Sequence, residues 1–214
     1  MARDLNPKCK QCRREGVKLF LKGDRCFGSK CAIVKRNFIP GMHGEKQGRG
    51  GSGRMTGYGM QLREKQKAKR TYRILERQFR NYFKKAVRRK GDTRSILFSL
   101  LEKRLDNAVY RAGFAANRDQ ARQLVNHGHF TVNGKKVTIP SFQVDIKDKI
   151  GIRPSSLAKM ESFKTLGERL KGKEIPEWLA VEPKELTAVV VGEPSLEKNR
   201  PNFDLKQITE FYSR

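Results

Sequence analysis

Cys9, Cys12, Cys26 and Cys31 are all the cysteines in the chain, with two, thirteen and four residues between successive members. Two close pairs of thiolates joined by a loop that can fold back supply the soft donors of a tetrahedral Zn2+ site. A 4Fe-4S cluster also takes four cysteinates, and spacing alone does not separate the two. No coordination position is left open, so either group is structural, folding a segment too short for its own core. Lys10, Arg13 and Arg14 around the first pair favour deprotonated thiols, and Gly28 loosens the C-x4-C of the second. Other chemistry is sparse. The histidines His43, His127 and His129 enter no H-E-x-x-H and no cysteine–histidine arrangement. His127 and His129 flank Gly128 and read as a phosphate contact or turn residues rather than a proton shuttle. The chain is expected to be no enzyme and to have no small-molecule substrate.

The elements around these residues are legible from periodicity. Leu101, Leu105, Ala108, Val109 and Ala112 share one helical face and Gly113 supplies a left-handed stop, which predicts one helix over 101–112. Asn117 caps the next helix with Gln120 in the capping-box position. Ala121, Leu124 and Val125 form its buried face, and Gly128 ends it. Asn133-Gly134 between residues 129–132 and 136–139 is a two-residue hairpin signal, because both tolerate positive φ. Arg118 and Arg122 lie four apart on one side of the capped helix, and Lys135 and Lys136 open the second arm of the hairpin.

Upstream, residues 62–91 read as one or two helices. Leu75, Phe79, Tyr82, Phe83, Ala86 and Val87 fall on one side, and Arg73, Arg77, Arg80, Lys84 and Arg88 on the other. Glu64 and Glu76 are the only acids there, so the basic face reads as a row of phosphate contacts. Arg63 and Arg70 belong to the same basic run. Between Pro40 and Gly59, Gly48, Gly50 and Gly53 fit G-x-G-x-x-G, but no βαβ unit frames them. An extended segment with Arg49 and Arg54 threading along RNA is the better reading.

Composition names the kind of partner. The chain has 214 residues and carries 48 Lys and Arg against 22 Asp and Glu, a net charge of +26. Residues 1–90 alone hold 27 basic and 6 acidic side chains, so most of the excess lies in the first two fifths. A polyanion relieves such self-repulsion through counterion release. No apolar run is long enough to span a membrane, and no signal-like segment opens the chain, so a cytoplasmic, disulfide-free protein is expected.

The stretch RLDNAVYRAGFAANRDQARQLVNHGHFTVNGKKV resembles the small RNA-binding module named after the ribosomal S-four protein. That module also occurs in pseudouridine synthases, tRNA synthetases and heat-shock RNA binders, which add a catalytic domain or act as free-standing regulators. Beyond it, Pro40-Gly41 with His43-Gly44, then LREKQK, LERQFRNYF, LLEKRLDNAVYRAGF and the terminal EFYSR occur in the order seen in bacterial S-four ribosomal proteins. The resemblance runs nearly end to end and loosens over residues 159–209. The cysteine set looks like that family's metal-binding branch.

The resemblance implies a primary binder of small-subunit (16S) rRNA that nucleates assembly of the subunit body at a multi-helix junction. It further implies contact with the neighbouring S-five protein, placed broadly near Ser195 to Asp204. A share in decoding accuracy with S-five and S-twelve, and a place beside incoming mRNA, also follow. The expected fold is α+β: a metal-held segment over 1–45, a Gly-rich linker and basic helices over 46–91 packed with the tail 195–214, and a mixed domain over 92–194. That domain carries a small antiparallel sheet and the module at about 99–162. Arg104 and Arg111 join Arg118, Arg122, His127, Lys135 and Lys136 as the module's RNA-contact candidates. Phe211 and Tyr212 are expected to anchor the tail by packing.

Overall fold

The computed structural model describes residues 4, 6–42, 55–159, 163, 166–170 and 174–213. The chain forms two compact units, Met1–Leu97 with Pro201–Arg214, and Phe98–Arg200. Among the described residues the peptide bonds are all trans.

The first unit is helical. Helix α1 (Lys8–Glu15) ends at Gly16 in the left-handed conformation, φ 70°. A 3-10 turn (Gly23–Cys26) and the short α2 (Ala32–Lys35) follow. Helix α3 (Gly57–Thr71) is capped by Thr56, whose Oγ1 accepts the Gly59 N–H at 3.2 Å. Helix α4 (Glu76–Arg88) buries Phe79, Tyr82, Phe83 and Ala86. Leu75 and Val87, expected on the same apolar face, are exposed. Leu75 precedes the helix as its cap, and Val87 lies at its far end beyond the last packed ring.

The tail helix, here α10 (Leu205–Tyr212), starts at Asp204, which accepts the Lys206 N–H at 2.7 Å. It packs on α3: Gln61 donates to Glu210 at 2.9 Å, and Lys65 Nζ lies 4.5 Å from the Phe211 ring centroid. Tyr212 stacks on Phe83 at 4.8 Å and donates its hydroxyl to Glu76 at 2.7 Å. Burial alone would raise the Glu76 carboxyl, but bonds from Lys65 and Tyr212 hold it below its ordinary range. Burial and that same carboxylate push the Tyr212 phenol well up. Phe211 and Tyr212 are packing anchors, as expected.

In the second unit the expected helix over 101–112 is two. Helix α5 (Thr93–Glu102), which begins in the first unit, stops, and α6 (Leu105–Arg111) restarts after an extended Arg104 at φ −66°, ψ 135°. The break lets the chain pair with a later loop: Leu105 N–H donates to Phe142 at 2.8 Å and Val144 N–H to Lys103 at 2.9 Å. Helical periodicity runs through the break because apolar residues on both sides of it, Leu101 in α5 and Leu105 in α6, are buried.

Helix α7 (Arg118–Asn126) has the expected cap. Asn117 Oδ1 accepts the Gln120 N–H at 2.9 Å, while Gln120 Oε1 accepts the Ala116 N–H at 2.8 Å. Strands β1 (Phe130–Val132) and β2 (Lys135–Lys136) form the hairpin, with Asn133 and Gly134 at φ 50° and 78°. After β3 (Lys149–Ile152) come α8 (Pro154–Lys159), α9 (Leu166–Leu170), β4 (Leu179–Glu182) and β5 (Thr187–Val190). The five strands form one antiparallel sheet in the order β2-β1-β3-β5-β4. One core joins it to the helices: Phe130 sits between Phe114 at 6.1 Å and Phe163 at 6.3 Å, with Val109, Val125, Ile150 and Trp178 buried in the same cluster.

Candidate nucleic-acid interface

Helix α4 presents Arg77, Arg80, Lys84 and Arg88 to solvent, opposite its buried aromatic face. Adjacent residues on an α-helix are about 1.5 Å apart along the axis, so cations spread over the twelve positions from Arg77 to Arg88 make a charged strip suited to a run of phosphates. Lys85, Arg89 and Lys90 are exposed beside them and extend it. Helical periodicity alone passes over these three, although the KKAVRRKG run marks them.

The second set gathers where α7 ends. Gly128 sits at φ 73°, and its Leu124–His129 and Val125–Gly128 backbone bonds close the helix. A Cβ at Gly128 would stand 2.3 Å from Lys136 Cε, so the glycine lets the lysine stem lie across the turn. That places Lys136 beside exposed His127, with Lys135 exposed in the same hairpin. The His127 and His129 rings are 5.9 Å apart. His129 Nδ1 lies 2.9 Å from Ser156 Oγ, and burial together with the charges of His127 and Arg153 lowers its pKa. His129 therefore favours the neutral ring, and His127 is the one that faces outward.

Several of the arginines expected to meet RNA are turned inward or bound to partners within the fold. Arg73 is 8% exposed rather than on the open face of α4. It occupies the left-handed position after α3, φ 56°, where Ile74 N–H reaches back to Lys69 at 3.0 Å, and its guanidinium donates to Gln11 at 3.0 Å. Arg104 has no exposed surface and grips Asp106 with two bonds of 3.0 and 2.6 Å. Arg111 makes two bonds of 2.9 Å to the buried Glu102. Arg118, 9% exposed, donates to Asn107 at 2.8 Å and lies 4.5 Å over Tyr110; Arg122 is 6% exposed. These side chains are structural ties, so the pair Arg118 and Arg122 does not form an open phosphate-binding face.

Around α1 the pattern repeats. Glu15 has a fully buried carboxylate to which Arg63 donates at 3.3 Å and Arg70 also binds. Burial outweighs these cations and raises the Glu15 carboxyl above its ordinary value. Arg13 donates to the Phe38 carbonyl at 2.9 Å with its guanidinium over the Phe38 ring, whereas Arg14 is exposed. Arg49, Arg54, His43 and the G-x-G-x-x-G glycines lie outside the described residues.

The four cysteines are free thiols that line one small cavity of about 20 Å³. Lys22 N–H points to Cys26 Sγ at 3.4 Å and the Leu19 amide bonds Cys12, the kind of N–H to sulfur contact that steadies a thiolate. Burial, then the other three thiols, raise Cys12. Among the described residues, no three His, Cys, Asp or Glu side chains converge to metal-ligand spacing. The set thus converges on one place and has the right donors, without being drawn into a ligand tetrahedron.

Among the described residues no helix is long and apolar enough to cross a membrane. Comparison with known proteins places this geometry in a family. Residues 3–102 match the ribosomal protein S4/S9 N-terminal domain and residues 103–150 the S4 domain. The chain is 50% identical over 214 residues to the small ribosomal subunit protein uS4 of Desulforamulus reducens, covering all of both chains. The proteins of that name from Clostridioides difficile and Thermotoga maritima are each 50% identical, again covering all of both chains. A helix that buries an aromatic face and exposes a basic one, followed by the hairpin module, all within full-length similarity at half identity, places this chain in the ribosomal protein uS4 family.

Proposed function

We propose that the chain is a structural protein of the small ribosomal subunit that binds 16S rRNA and acts in translation without catalysing a reaction. The observation that carries this is the sorting of its cations: a strip on α4 and a cluster on the β1–β2 hairpin stay open, while several arginines such as Arg104 and Arg111 are taken up by buried acids. Cations held on rigid elements suit recognition of a folded RNA by its shape and backbone, with little reading of base edges. In this reading the protein binds early, at a multi-helix junction, and nucleates assembly of the subunit body. Residues 195–204 face the S-five protein, decoding accuracy is shared with S-five and S-twelve, and mRNA passes nearby.

Cys9, Cys12, Cys26 and Cys31 would hold one Zn2+, which would supply only cross-linking of the segment around α1. The converging thiols and the two amide–sulfur contacts support this; the same donors would also accept a 4Fe-4S cluster.

Small subunits washed in high salt from cells that make the protein test both proposals. The chain should be stoichiometric with the subunits and carry one zinc per chain. A substoichiometric chain free of ribosomes would point instead to a free-standing RNA-binding regulator. Iron with sulfide, or no metal, would overturn the zinc assignment.

A further inference from the structure

The first unit contains a hollow of about 450 Å³ between the end of α1, the segment after α2 and the start of α3. Its apolar part is formed by half-buried Phe38 and Ile39 with Met55 and Met60, which are 56% and 48% exposed. Large apolar side chains held together in an open concavity mark a binding surface. The nearby charges are largely used internally: Arg63 binds Glu15, and Lys67 binds Glu64 at 2.5 Å. The hollow is therefore poorly suited to a bare phosphate and well suited to a flat, largely uncharged group.

Phe38 is the fixed wall. Arg13 donates to its backbone carbonyl at 2.9 Å and lays its guanidinium 4.5 Å from the ring centroid, so one side chain pins both the backbone and one face of the ring. Methionine thioethers adapt to aromatic shapes, and the amides of Asn37 and Gln207 on the walls offer donors and acceptors to a base edge. The volume falls in the range of roughly 300–1,000 Å³ typical of small-ligand sites. Exposed Arg14 at the rim can meet the phosphate of the same nucleotide.

We propose that this hollow receives one nucleobase splayed out of the bound RNA, stacked on the Phe38 ring. The proposal rests on the RNA-binding reading above and adds a base-specific contact to an otherwise phosphate-dominated interface. Unstacked bases taken up by aromatic and guanidinium planes are a general mode of RNA recognition.

The test uses the full chain and a small-subunit rRNA junction substituted with 4-thiouridine. Ultraviolet cross-linking should attach RNA to the peptide containing Phe38. Phe38→Leu should weaken binding about tenfold while leaving the salt slope unchanged, because stacking releases no counterions. Phe38→Tyr should bind like the parent, and equal melting temperatures serve as the folding control. Parent-like affinity of Phe38→Leu, or cross-links that avoid this peptide, would overturn the proposal. Failure of the parent to prefer junction RNA at all would instead remove the RNA-binding reading itself.

Discussion

Arg104→Ala is expected to lower the unfolding free energy of the protein by about 3–5 kcal/mol, read as a fall in the urea midpoint at constant slope. Arg104 and Asp106 are both buried and joined by two bonds, so removing the cation strands a carboxylate away from water. The neighbouring ties raise the cost of relaxation. Glu102, fully buried, holds both Arg111 and Asn107, and Asn107 in turn accepts from Arg118. Replacing the whole pair, Arg104→Met with Asp106→Leu, should recover most of the loss, because a buried ion pair can be exchanged for apolar side chains of similar volume. A loss below about 1 kcal/mol in the single variant would mean that water reaches Asp106 and that the pair does not hold the α5–α6 break.

Changing Arg77, Arg80, Lys84 and Arg88 together to glutamine is expected to act on binding and hardly at all on stability. All four are exposed, and the side of α4 that carries Phe79, Tyr82 and Phe83 is untouched. Every phosphate left without its cation takes about one counterion out of the salt dependence, so the slope of log affinity against log salt should flatten by up to about four. Affinity at physiological salt should fall by on the order of a hundredfold or more. Measured affinities across a salt series decide it. An unchanged slope would take α4 out of the interface and leave the hairpin lysines as the main phosphate binders.

Arg104 and the α4 cations differ in how plainly the sequence announces them. Helix stops were legible where glycine marked them: Gly113 and Gly128 both take positive φ and close their helices with the same pair of backbone bonds. The stop after α3 uses the same geometry with Arg73 in the left-handed position, and nothing in an arginine announces that. The hairpin was legible because Asn133 both tolerates positive φ and clamps Asp148 at 2.7 Å and the Lys149 N–H at 2.9 Å. The break at Arg104 was not, since its cause is pairing with residues nearly forty positions later.

The cations divided for a related reason. Along α4 the sequence shows no acid after Glu76, and the face stays open. Arg63, Arg70, Arg104, Arg111 and Arg118 look equivalent in a charge count, yet each is taken up by an acid or amide, from two residues away for Arg104 to 55 for Arg70. Glu15 serves two arginines from 48 and 55 residues away. Net charge therefore identified the class of partner correctly while overstating how many cations are free to meet it.

The most direct test of the central claim is affinity for the small-subunit rRNA junction against a scrambled RNA of equal length, at several salt concentrations around physiological. A shape-specific binder predicts a preference of about a thousandfold that persists as salt rises, because nonspecific neutralisation fades steeply with salt. Equal affinities that collapse together would contradict it and leave only a polycation that adheres to any RNA.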